Sequence, residues 1–131
     1  MKHLKEQPFL DRKGNQVLIP TQDEAGNRTA FEPSLRWVLG VTANSYIPTD
    51  KFSLSLKEIR SLNTAVDILD KELETDEYMS FEDADFVILK KVILQLLPLI
   101  SIGQLLMNAP IIEDILNNPL DKLPKEEEKT E

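Results

Sequence analysis

The chain has 131 residues, 41% of them hydrophobic, and a net charge of −8, which suits one domain with a modest core. That charge argues against an electrostatic grip on nucleic-acid phosphates and against attraction to an anionic membrane surface. The absence of cysteine excludes disulfides and thiolate metal sites, and a single histidine, His3, argues against zinc and most transition-metal sites.

The opening MKHLKEQPFL lacks the apolar core of a signal peptide, so the chain reads as cytoplasmic. Residues 1–32 read as an extended or hairpin arm. Their loose alternation is split by a turn cluster at 11–15, where Gly14 can take a positive φ. The pattern predicts strands near 4–10 and 16–19 closing a hairpin, with Pro8 on an unpaired edge. A second turn cluster follows at 23–27. An isolated hairpin is marginal in water, so this arm has to pack on helices or on a partner.

Residues 33–118 read as a helical domain. Pro33 suits a first helical turn, with Leu35, Trp37, Val38 and Val41 along one side of a short helix that Gly40 weakens. Trp37 reads as a core or hinge-packing residue before a ligand contact. A loop covers 44–53. Ser55 and Glu58 form a capping-box pattern. Behind it Ile59, Leu62, Val66, Leu69 and Leu73 alternate at spacings of three and four, the cleanest amphipathic signal in the chain. An acidic connection at 72–78 then leads to Ser80.

The longest apolar region runs from 86 to 107. A membrane span needs about 20 predominantly apolar residues; here Lys90, Lys91, Gln95, Pro98 and Gln104 interrupt it, and a core helix is the reading. Ser80 and Asp83 have capping spacing, acids at 82, 83 and 85 complement the helix dipole, and Pro98 stops or kinks the helix. Phe86, Ile88, Leu89, Val92, Ile93, Leu96 and Leu97 share one face. Val87 and Leu94 fall on the polar wedge, where an apolar side chain points to an interface. Further helical turns follow at 101–107, then a helix at 110–117 ended by Pro119. Residues 119–131 read as a disordered acidic tail. The fold class expected is therefore mainly α: a small bundle of about four helices with an N-terminal hairpin or extended arm.

No residue pattern carries recognisable chemistry, so no catalytic, cofactor-binding or metal-binding residue is assigned and no enzyme activity is expected. His3 sits at a terminus that frays, a poor place for a base. Four glycines, none clustered, build no phosphate cradle. Glu82, Asp83 and Asp85 could hold a hard cation, but capping and dipole complementarity already account for them.

Taken together, PFLDRKGNQ at 8–16, SLRWVLG at 34–40, LKEIRSLNTAVDIL, SFEDADFVILKKVILQLLP and the Gly-Gln at 103–104 resemble a diffuse class of small proteins of tailed bacteriophages. The insert around 46–53 and the acidic tail depart from that pattern. The function of that class is uncertain, so the resemblance carries over no site residue. It implies a viral chain working in a host cytoplasm.

The expectation is a protein–protein interaction or assembly module acting through an apolar helical surface. Its candidate residues are Trp37, Val87, Leu94, Leu99, Ile102, Leu105 and Leu106. The partner expected is another protein or a second copy in a homo-oligomer, with no cofactor, nucleic acid or membrane. A second reading is an acidic inhibitor that occupies the basic groove of a host nucleic-acid-binding enzyme through the acids at 72–85 and in the tail. A third, a small-ligand carrier with a pocket beneath Trp37, lacks a polar anchor.

Overall fold

Residues 1–70, 78–99 and 103–122 are described by a computed structural model of the chain. Among them, half are helical, in five α-helices, and two antiparallel two-stranded sheets complete a mixed α/β fold. The expected mainly α bundle is corrected by those sheets, and most of all by strand pairing across the whole chain.

Three helices form the centre. Helix α1 (Leu35–Asn44) starts from Ser34, whose Oγ accepts the Trp37 backbone N–H at 3.2 Å; Pro33 thus lies just ahead of the cap. Helix α2 (Leu56–Asp70) opens on the reciprocal cap that its sequence predicts. The Glu58 backbone N–H donates to Ser55 Oγ at 3.2 Å, and the Ser55 N–H donates to the Glu58 carboxylate at 2.9 Å. Leu62, Ala65 and Leu69 are buried, while Leu73 lies outside the described residues. Helix α3 (Asp83–Leu96) packs against both and buries Phe86, Leu89, Val92 and Ile93. It tightens into a single 3₁₀ turn at Leu97–Leu99 around Pro98, which has no N–H to continue the ladder. The short helices α4 (Gly103–Met107) and α5 (Ala109–Asn117) bring Leu105, Ile112 and Leu116 into the same core.

The first sheet overturns the expected start of α3. Strand β1 (Lys2–Lys5) pairs antiparallel with a later strand (Tyr78–Phe81), Lys2 opposite Phe81 and Lys5 opposite Tyr78. Along that later strand burial alternates, so Met79 and Phe81 reach the core. Ser80 is therefore a strand residue and not the helix cap. Its hydroxyl lies 2.7 Å from Nδ1 of His3, its cross-strand neighbour, and Glu82 stands at the N-cap with no side-chain cap bond. On its other side β1 meets Leu120: the His3 and Leu120 N–H groups each donate to the other's carbonyl at 2.9 Å. Lys2 pairs with Asp121 beside that bridge.

The expected hairpin strands at 4–10 and 16–19 are also corrected. The turn at 11–15 is present, but a single bridge, Leu10 to Gln16, closes it. Residues 7–9 pair instead with the entry to α1: Phe9 N–H donates to the Pro33 carbonyl at 3.0 Å, and Leu35 N–H to the Gln7 carbonyl at 2.8 Å. The true hairpin comes one turn later, strand β2 (Ile19–Gln22) against β3 (Arg28–Phe31); the first sheet's second strand, Tyr78–Phe81, is β4.

Both turns have the sequence Asp-x-x-Gly-Asn. In each, one aspartate oxygen accepts backbone N–H groups two and four residues ahead, at 2.8 and 3.0 Å from Asp11 and at 2.9 Å twice from Asp23. In each the glycine has positive φ, 86° at Gly14 and 84° at Gly26, the geometry of a three-residue loop with a left-handed last position. Leu4, Phe9, Val17 and Ile19 from this N-terminal region join the buried cluster. No helix among the described residues is long and apolar enough to cross a membrane.

Two glycines give opposite expectations. Gly14→Ala meets no steric obstacle but is held at positive φ, so urea denaturation should show a loss of about 1–2 kcal/mol. Gly40 is helical, and an added Cβ would stand 3.9 Å from the Leu69 Cβ, an ordinary contact. Gly40→Ala should stabilise by about 0.5–1 kcal/mol through helix propensity and a less free unfolded chain.

Candidate functional site

Two apolar grooves flank α3, and they divide the residues expected to act together. Val87 and Leu94, seven residues apart on α3, line one of about 500 Å³ with Phe86, Leu116 and Pro119. Val87 is 61% exposed; Leu94 is half-buried against the core edge. Among the described residues, three ammonium groups border this groove, from Lys2, Lys90 and Lys91, and no carboxylate lines it. Lys91 Nζ sits 3.3 Å from the Glu58 carboxylate and 5.7 Å from the Phe52 ring centre. Lys90 has no ion pair among the described residues.

Leu99 and Leu105 belong to the other groove, of about 610 Å³, between α1, the loop at 45–53 and the end of α3. Its deeper residues are Leu105, wholly buried, and the half-buried Leu96 and Phe52. Val41, Ile47 and Leu99 are exposed at its edge, Ile47 at 72% and Leu99 at 76%. Leu106 is exposed on α4 and lines neither groove, and Ile102 lies outside the described residues. Trp37 also lines neither. Its ring packs on Phe31 with centres 4.7 Å apart and planes at 60°, which ties the β2–β3 hairpin to α1.

The acids fare differently from one another. Of the acidic stretch at 72–85, residues 72–77 lie outside the described residues. Asp83 accepts the N-terminal ammonium at 3.1 Å. Glu58 is held below the ordinary carboxylate range by the Ser55 backbone N–H first, then by the Lys91 ammonium. On α1, the Arg36 Nε and Nη2 are buried with no hydrogen-bond partner among the described residues.

Sequence reasoning missed Ile47, Lys51 and Phe52, which read as ordinary loop. The available signal was Tyr46-Ile47 and Phe52, large apolar residues on both sides of a proline loop. The rings of Tyr46 and Phe52 meet edge to face at 5.8 Å, and the Tyr46 hydroxyl accepts the Leu54 N–H at 2.8 Å, so this loop is internally built. No protein-family model, curated protein or solved structure matches the chain.

The Glu58 contacts carry a pH signature. Because its pKa is depressed in the folded state, they stabilise the fold wherever the unfolded carboxylate is ionised, and that contribution fades as pH falls through the folded value. The melting-temperature gap between the native chain and Glu58→Gln should be full at neutral pH and begin to narrow as pH falls to the ordinary carboxylate value of about 4.3. It should close only below that value, as the lowered folded value is passed.

Proposed function

We propose that the chain is a non-enzymatic protein–protein interaction module whose contact surface is the outward side of α3. The observation that carries this reading is Val87, an aliphatic side chain 61% exposed within an apolar groove that Lys2, Lys90 and Lys91 border. Fully burying an aliphatic side chain of this size contributes about 1.5–3 kcal/mol, and a charged border orients the encounter and selects the partner.

The border also bears on which partner fits. A symmetric α3-on-α3 contact brings together the Lys90 side chains of both copies, which have no ion pair among the described residues, and like charges in a closing interface repel. An amphipathic helix with carboxylates beside its apolar stripe meets the same groove with charges of opposite sign. A bacteriophage-encoded chain acting in its host's cytoplasm is part of the same proposal.

The test places a photo-crosslinking residue at position 87, at 94, or at the solvated Lys57 of α2, and illuminates the native host lysate. One acidic protein should be captured at 87 and 94 but not at 57, with yield falling as salt rises. Val87→Glu should leave the melting temperature unchanged and weaken that partner at least about tenfold. Equal capture at all three positions overturns the assignment, and an adduct of the chain with itself replaces the partner by a second copy.

A further inference from the structure

The groove between α1 and the loop at 45–53 has a chemistry of its own. Its volume of about 610 Å³ lies in the range of small-molecule sites, which are mostly apolar with a few placed polar groups. In a chain with eight more acids than bases, no carboxylate among the described residues lines it, and Lys51 is its one charged lining residue among them. Lys51 has no ion pair among the described residues.

The lining hydroxyls are turned to other work. Thr42 Oγ1 donates to the Val38 carbonyl at 2.8 Å, and Ser45 Oγ to the Val41 carbonyl at 2.9 Å. Thr49 Oγ1 accepts the Phe52 N–H at 3.1 Å, closing the turn that carries Lys51. Lys51 and Gln95 are left as the lining donors that no hydrogen bond among the described residues engages. An occupant with a hydrocarbon body and an acceptor-only anionic head answers all of this.

We infer that this groove binds a medium-chain aliphatic carboxylate, its hydrocarbon over Phe52, Leu96 and Leu105 and its carboxylate at Lys51. The site is separate from the α3 surface and does not rest on the interaction-module reading. Binding uses water exclusion from the chain and a charge-assisted hydrogen bond at the head. A cationic head of equal chain length meets Lys51 with like charge.

The probes are octanoate, decanoate and decyltrimethylammonium, each below its micelle concentration, titrated into the ¹⁵N-labelled full chain while backbone amide shifts are followed. Decanoate should give saturable shifts at Val41, Phe52 and Leu105, and each methylene beyond octanoate should tighten binding about fourfold. Decyltrimethylammonium should bind at least about fivefold more weakly than decanoate. Lys51→Gln should erase that preference without moving the melting temperature. Ile47→Asp, at an exposed position, should weaken every probe.

Failure of decanoate to saturate, equal binding of the cationic probe, or an unchanged preference in Lys51→Gln overturns the proposal. Groove shifts that grow with protein concentration in the absence of any probe give the groove to a second copy and overturn it as well. Loss of the crosslink at position 87 leaves all these outcomes unaffected, so the two readings fail separately.

Discussion

Leu89, Val92 and Ile93 on α3 are removed from water completely, and the rest of the molecule is arranged around keeping them so. One helix cannot hide a stripe this wide by itself. Helices α1 and α2 cover it from two sides, and the strand just ahead of α3 adds Met79 and Phe81 to the same cluster. Because α3 is apolar on more than the face its neighbours use, Val87 and Leu94 remain at the surface. The proposed interaction surface is the remainder of the helix that builds the core.

The two sheets are small, and each has a distinct job. Strand β1 places Leu4 under the helices while its backbone is bonded on both sides, to β4 and to Leu120. That double pairing solves the problem of a short N-terminal strand with an open edge. The β2–β3 hairpin is different: β3 is exposed throughout, and Ile19 and the Phe31–Trp37 contact are what hold it to the body. The loop at 45–53 forms one wall of the second groove because its own aromatic pair braces it.

Local signals were legible in the sequence. The Ser55–Glu58 cap, the stripe through Leu62 and Leu69, the stop at Pro98 and both Asp-x-x-Gly-Asn turns all act over a few residues, and all stand where the sequence puts them. Ser80 was misread because a hydroxyl three residues before an acid fits a strand leading into a helix as well as it fits a cap. The strand itself is four residues long, and its partner β1 is distant in sequence, with His3 77 residues from Ser80, so nothing nearby marks it. The groove residues failed for a related reason. Leu99 and Leu105 have the same helical spacing as core residues, and only the tertiary arrangement makes one exposed and the other buried. Lys51 acquires meaning from Phe52, Leu96 and Leu105 around it, and no window of sequence contains them together.

The bridge between His3 and Leu120 has a consequence for how the molecule comes into being. Strand β1 is synthesised more than a hundred residues before Leu120, one of its two backbone neighbours. Until then the outer edge of the strand lacks that backbone partner, and contacts so distant along the chain form slowly even in the finished polypeptide. During translation that edge is open to any extended segment nearby, including the same strand on a neighbouring nascent chain.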